Sequence, residues 1–468
     1  MHEEDNQKSM PYCAATVGSM SKRDPLLGDL TTEQLVQVMK HPAQLRNLQV
    51  IEYLLRQLDA CTSLDEYIDF QGLLVQATVK THQDAGEIDQ QERRSLQGKG
   101  IKGLTDWPLA LDPATATPAD WAIERIVASR VLRQIRAVGD TLAWRAFGYD
   151  RGSITVLASN QSPGRITNKT GLNSELRLVF EAWKERKCFA LLHDLTSALR
   201  IGDVTEFGLD GSRHIFEVKS SPNAKTSRQR RRMQEAVDAI EGRGPLPKID
   251  RSDPTFYLYR TAVPLRADFT ELRTLIERAS SIGDWSGRVG KGRVTGVLAL
   301  LKLAEDPAHE VRLAQYRSHL GRALNKHLAG TVQHVKAVST DYTARRADVA
   351  PFGIFPLPVE TRAQLICDYL VLDTRMAIEA VAQCLEKHGL RVDVPLPMQN
   401  SQHAGNKSVI HIYGDKAHLT VHGHGLHNLL MEFVNLDCFA AATAEMFNMD
   451  PTGARPLLMF AGERRVWR

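Results

Sequence analysis

Between about residue 30 and residue 140 the apolar positions recur at helical spacing. "TTEQLVQVM" opens with threonines placed to cap a helix, and "LQVIEYLLRQL" continues the period. "PLALDPATATPAD" is rich in Pro, Ala and Thr and marks a boundary, after which "ADWAIERIVASRVLRQIRAV" resumes the helical spacing. The stretch "HQDAGEIDQQERRSLQGKGIKG" is polar and Gly-bearing, which predicts an exposed loop. Residues 1–118 thus read as a mostly helical region whose first ten to thirty positions are poorly ordered.

From Asn173 the pattern changes. "NSELRLVFEAWKERK" places Leu176, Val179, Phe180 and Trp183 on one helical face, with Asn173 and Ser174 as capping residues. "CFALLHD", "GDVTEF" and "RHIFEVKS" read as three strands, the last two joined at Asp210-Gly211, a hairpin turn signal. "SRQRRRMQEAVDAIEG" returns to helical spacing, with Met233, Ala236, Val237 and Ile240 in register and Gly242 as its stop. "TFYLYR" is a further strand and "DFTELRTLIERAS" a further helix. The order is helix, three strands, helix, strand, inside a unit bounded at 119–280.

Beyond it "GDWSGRVGKGRVTG" reads as a Gly-rich loop, followed by helices to about Val349, so 281–350 is expected to be helical. Residues 351–468 are expected to form an α+β unit. Its long helix is "TRAQLICDYLVLDTRMAIEAVAQCLEKHG", its strand-like pieces are "VIHIYG" and "HLTVHG", and its last element is an apolar helix, "LHNLLMEFVNLDCFAAATAEMF". That helix must bury one face, against its own unit or a second copy of the chain, and the flanking regions are expected to form a homodimer or to gate the site.

Composition narrows the class without deciding it. The 468 residues carry a net charge of +4 and are 43% hydrophobic, enough for ordinary cores. The six cysteines form no CxxC pair and read as reduced thiols. The polar start "MHEEDNQKSM" has no apolar segment behind a basic one, and no run reaches the roughly 18 apolar residues that span a bilayer. A cytoplasmic protein without membrane partners is expected.

The chemistry concentrates in "RIGDVTEFGLDGSRHIFEVKSS". Residues two apart in a strand share a face, so Glu217 and Lys219 project together. Asp203 lies one hairpin upstream and approaches Glu217 from the side. Two adjacent carboxylates repel unless a cation lies between them, and hard oxygen donors suit Mg²⁺ or Mn²⁺. A lysine beside them makes sense if a phosphate, or a water attacking one, also enters. The plain alternative is a solvated edge pair of little energetic weight.

Asp203 in "GDV", then Glu217 and Lys219 in "EVK" fourteen and sixteen positions on, resembles the PD-(D/E)XK nuclease superfamily, which includes restriction endonucleases and archaeal Holliday-junction resolvases. The resemblance covers about Gly171 to Arg260 and implies an αβββαβ core, here flanked by the helical N-terminal and α+β C-terminal regions. Ile201-Gly202 stands where the motif names a proline. The resemblance implies that Asp203, Glu217 and the carbonyl of Val218 bind Mg²⁺, and that Lys219 orients or activates the attacking water. It further implies that Glu175, on the first helix, holds a second metal or a water. The expected reaction is hydrolysis of a phosphodiester by an endonuclease, with DNA favoured over RNA. A defence, toxin or repair setting fits equally. An RNA nuclease and an inactive nucleic-acid-binding protein remain alternatives.

The second helix adds a basic run. Lys225, Arg228, Gln229, Arg230, Arg231 and Arg232 lie near the proposed metal, and an exposed helix N-terminus also favours phosphate. Alone, such a run reads as a solvated face; beside the hairpin it reads as a backbone-contacting surface. "HGHGLH", with His411 and His418 nearby, suggests a zinc cluster less well than ordinary loop and strand histidines. "GRVGKGR" lacks the residues of a phosphate loop.

Overall fold

In the computed structural model the described residues are 30–99, 106–112, 115–158, 166–167, 169, 171–218, 227–247, 257–331, 333–340, 349–395, 408–414, 418–422, 426–449 and 457–460. The chain opens with α1 (Thr32–Lys40), α2 (Pro42–Ala60), α3 (Leu64–Leu96), α4 (Pro118–Ala146) and α5 (Arg151–Leu157). Thr31, Ser63 and Thr117 each close a capping box at the start of α1, α3 and α4. Residues 82–96, expected as a loop, are the second half of α3. His82, Asp84, Ile88 and Gln91 are buried there. Most of these buried positions are polar, so the apolar period fades while the helical packing continues. Helix α4 is the centre of this half, burying Trp121, Val127, Ile135, Leu142 and Trp144.

Next come α6 (Leu172–Arg186), β1 (Phe189–Leu192), β2 (Val204–Phe207), β3 (Arg213–Phe216), α7 (Ser227–Ile240) and β4 (Tyr257–Arg260). Strands β1, β2 and β3 form an antiparallel meander, with Phe189 opposite Phe207 and Val204 opposite Phe216. The turn between β2 and β3 is closed by Asp210, whose carboxylate accepts from Ser212 N. The outer edge of β1 meets a side chain of α3. Buried Gln71 donates to Ala190 O at 2.9 Å and accepts from Leu192 N at 3.1 Å. Strand β4 pairs in parallel with β12 (Leu457–Phe460) and makes no ladder with the meander among the described residues. Asp150 ties the two together, accepting from Arg260 of β4 at 3.0 Å and lying 3.4 Å from Arg213 of β3. Burial would raise the pKa of Asp150, but the two guanidiniums hold it below the ordinary carboxylate value.

The buried face of α6 is turned from the one its apolar residues mark. Glu175, Val179 and Ala182 are buried, whereas Phe180 is 48% exposed. A carboxylate therefore sits on the inward face of this helix.

The second half holds α8 (Phe269–Ile282), β5 (Asp284–Arg288), β6 (Arg293–Ala299), α9 (Leu300–Glu305), α10 (His309–His327), β7 (His334–Val338), α11 (Val359–Ile366) and β8 (Leu370–Ala377). It continues with α12 (Ile378–Lys387), β9 (Arg391–Asp393), β10 (Ser408–Tyr413), β11 (His418–His422), α13 (His427–Met431) and α14 (Leu436–Met449). Three expectations are corrected here. The Gly-rich "loop" is the β5–β6 hairpin, with Gly296 leaving room for the Tyr316 hydroxyl of α10. Residues 370–377, expected within a helix, are strand β8. The sheet runs β5-β6-β8-β7, so it crosses the boundary placed at 350/351, and 281–350 is not purely helical. Strand β8 is buried on both faces and shows no period-2 alternation, which is why it reads as helix.

The expected terminal helix is also two helices. Arg293, fully buried, donates to the carbonyls of Leu429 (3.0 Å) and Val434 (2.7 Å) and lies 3.3 Å from Asp268. Its guanidinium stacks on Phe433, which adopts a left-handed backbone with φ of 54°. Carbonyls that would continue a helix are taken by an arginine instead. Among the described residues no helix is long and apolar enough to cross a membrane, and the described cysteines are free thiols.

Replacing Arg293 by Met should leave the carbonyls of Leu429 and Val434 without their arginine donor and Asp268 Oδ2 without its cation, while Asp268 Oδ1 keeps the donor Asn435. A loss of about 3 kcal/mol or more is expected in urea unfolding of the full chain. An unchanged midpoint would show that the carbonyls find other donors.

Candidate functional site

The meander ends where three carboxylates meet one ammonium. Lys169, just ahead of α6, places its Nζ 2.6 Å from Glu175 Oε1, 2.6 Å from Asp194 Oδ2 and 3.2 Å from Asp203 Oδ1. Glu175 comes from the first turn of α6. Asp194 lies in the 3₁₀ turn His193–Leu195 after β1, and Asp203 directly precedes β2. Adjacent antiparallel strands bring the end of β1 and the start of β2 to the same edge of the sheet, so Asp194 and Asp203 arrive together.

Each carboxylate is held. Asp203 Oδ2 accepts from Val218 N at 2.8 Å, which pins the start of β2 to the segment leaving β3. Gly202 precedes it with φ of +77°, and a Cβ there would lie 2.4 Å from Ile215 Cγ2 and 2.9 Å from Phe216 O. No other residue fits at this position, neither in backbone conformation nor in space. His193 is buried between the two aspartates' segments, Nδ1 3.0 Å from Gly202 O and Nε2 2.7 Å from Thr205 Oγ1. Burial lowers its pKa to about 4, so it is neutral near pH 7. The neutral ring that satisfies both contacts carries its proton on Nδ1, donates to the carbonyl and accepts from the hydroxyl. From below, Asp140 of α4 accepts from Ser197 N at 2.8 Å and Ala198 N at 3.1 Å, fixing the loop between β1 and β2.

Glu175 is the buried member, 1% exposed, and burial raises its pKa above the ordinary carboxylate value despite Lys169. Its Oε2 has no hydrogen-bond partner among the described residues. For Lys169 burial acts downward, but hydrogen bonds to Asp194 and Glu175 outweigh it and the pKa lies above the usual lysine range. Gly171 opens α6 against this cluster; a Cβ there would stand 3.3 Å from Glu175 Oε1 and 4.0 Å from Val218 O.

Of the residues singled out in the sequence, Asp203, Glu175 and Val218 are thus in one place. Glu217 follows β3 directly and is half-buried, one step beyond the Val204–Phe216 pair and so across from Asp203. Lys219 and Lys225 lie outside the described residues. So does the side chain of Arg228, whose backbone is in α7. Along α7, Gln229, Arg230 and Arg231 are exposed, and Arg231 is paired with Glu235 at 2.8 Å. Arg232 and Met233 are half-buried, with Met233 Sδ 3.5 Å from the Cβ position of Gly202. The basic helix therefore lies against the loop that carries Asp203. Gln229, named with the basic run as a nucleic-acid-contacting residue, is on the exposed side.

Lys169, His193 and Asp194 were missed. "CFALLHD" reads as a strand and its last two residues as the end of it. Only the antiparallel return of the chain puts Asp194 next to Asp203. Among the described residues no group of three or more His, Cys, Asp or Glu side chains stands in metal-binding array; His424 and the side chain of His422 lie outside the described residues. At this site the carboxylate oxygens are spread around an ammonium, at its longer contact distances. Hard carboxylate oxygens, one of them unpartnered, still fit the donor preference of Mg²⁺ or Mn²⁺. No protein-family model, curated protein or solved structure matches the chain.

Because the pKa of Glu175 is raised on folding, its contribution to stability is fully present below the unfolded value, about 4.3, and is lost as pH rises through the folded value. Glu175→Gln removes that dependence. The stability of the unsubstituted protein relative to the variant should fall from pH 4 toward neutrality in metal-free urea titrations. Parallel pH curves would contradict a buried, ionising Glu175.

Proposed function

We propose that the chain is a metal-dependent nuclease, hydrolysing phosphodiester bonds with Mg²⁺ or Mn²⁺, and acting on DNA in preference to RNA. The observation that carries this reading is the meeting of Glu175, Asp194 and Asp203 at one sheet edge, with Oε2 of Glu175 unpartnered among the described residues. The αβββαβ order from α6 to β4 and the "EVK" stretch agree with it.

In this reading Asp203, Glu217, Glu175 and the Val218 carbonyl hold the metal, joined by Asp194. The metal, when bound, offsets charge on the phosphate and lowers the pKa of a bound water. Val218 N fixes the rotamer of Asp203, and neutral His193 holds the Gly202 carbonyl before it and the Thr205 hydroxyl after it. Both keep the donors in place when the cation changes. Lys219, next in sequence to Val218, is the group assigned to the attacking water. Helix α7, with Arg230 and Arg231 exposed beside the site, contacts the phosphate backbone.

The test is cleavage of plasmid, single-stranded DNA and RNA by the full chain with Mg²⁺ and with EDTA. Asp203→Ala and Lys219→Ala should each reduce cleavage by at least about a hundredfold. Cleavage in EDTA, or at unchanged rate in both variants, would refute the assignment; preference for RNA would change the substrate class.

Neutralising Arg228, Arg231 and Arg232 together should weaken DNA binding across sequences. The log–log salt slope should fall by about 0.7 to 0.9 for each phosphate that is no longer neutralised. An unchanged slope would make α7 a solvated face.

A further inference from the structure

We propose that Lys169 is a tethered cation that holds the carboxylate cluster together in the metal-free protein and exchanges with the divalent ion. Loading the site then requires the ammonium to leave. This rests on the metal-dependent reading above and adds a control to it.

The geometry is that of an ion already in place. One ammonium has three donors, and Lys169 directs them at carboxylates from three separate elements, at 2.6, 2.6 and 3.2 Å. Its donors are then exhausted. Oε2 of Glu175, in a residue 1% exposed, is left with no partner among the described residues. A buried carboxylate oxygen that the cluster's own cation does not serve is one that a cation with more coordination positions would take up. Mg²⁺ takes six oxygens at about 2.0–2.1 Å, so it could take the second oxygen of Glu175 along with the others.

The two cations cannot share the position. A divalent ion bound to the oxygens that touch Nζ would lie within a few ångströms of it, and like charges at that distance repel strongly where water is scarce. Charge also favours the exchange. Three carboxylates and one ammonium leave an excess of negative charge, and a divalent ion offsets more of it. Lys169 has a way out: its side chain is 26% exposed, while Glu175 below it is closed off.

Exchange gives the site a resting state. Without metal the carboxylates are kept from mutual repulsion, and the fold does not depend on a supply of Mg²⁺. With metal the displaced ammonium remains tethered at the margin of the site.

Calorimetric titration of Mn²⁺ into the full chain tests this with Lys169→Met, Lys169→Arg and Asp203→Ala. Lys169→Met should bind Mn²⁺ about tenfold tighter or more, since the competing charge is gone. Lys169→Arg should bind no tighter than the unsubstituted protein. If the unsubstituted protein binds Mn²⁺, Asp203→Ala does not, and Lys169→Met binds equally or more weakly, the exchange is wrong while the metal site stands. If no form binds Mn²⁺, the metal-dependent reading falls and this proposal with it. Acetylation of the unsubstituted protein, read at Lys169 by mass spectrometry, needs no variant to fold. Saturating Mn²⁺ should raise Lys169 labelling severalfold, and unchanged or reduced labelling overturns the exchange.

Discussion

A carboxylate on the inward face of a helix is costly to bury, and Glu175 is buried almost completely. The arrangement at the end of the meander answers that cost. Lys169 supplies the opposite charge, and in doing so it draws Asp194 and Asp203 to the same point. The start of α6, the end of β1 and the start of β2 are thus registered by one ammonium as well as by backbone pairing. A cluster arranged in this way is held together by one ammonium, with Glu175 Oε2 left without a hydrogen-bond partner among the described residues.

Around it, side chains do what further strands would do in a larger sheet. Gln71 pairs the free edge of β1, Asp140 ties down the loop between β1 and β2, and Asp150 links β3 to β4 through two arginines. His193 makes the same kind of link between the two aspartate-bearing segments. Each of these groups is at least half-buried and each satisfies specific backbone or charged partners, so the meander is held in position by polar contacts with defined geometry.

Much of the region from Gly171 to Arg260 is legible from its pattern. The helix, the three short strands, the Asp210-Gly211 turn and the second helix fall near where the spacing places them, but β3 ends at Phe216, short of Glu217, and α6 begins at Leu172 behind Gly171, so Asn173 and Ser174 lie inside the helix and do not cap it. Elsewhere the signals conflict. The second half of α3 is buried through polar side chains, so it looks like a loop. Strand β8 is buried on both faces, so its apolar run imitates a helix. The break after Met431 comes from Arg293, more than a hundred residues away, and no local pattern reports it. The same limit applies at the site. Glu175, Asp203, Glu217 and Val218 announce themselves by motif, while Lys169 and Asp194 are joined to them only by the three-dimensional path of the chain.

The Gln71 contact has a consequence for how the halves of this protein depend on one another. A strand edge with open amides and carbonyls invites a neighbouring chain to add to it. Here the invitation is declined by one glutamine, which completes both a carbonyl and an amide of β1 from a helix made more than a hundred residues earlier. The helical N-terminal region therefore covers the open edge of the sheet at these two backbone groups, and the segment from Gly171 to Arg260 has that cover only while α3 is packed against it.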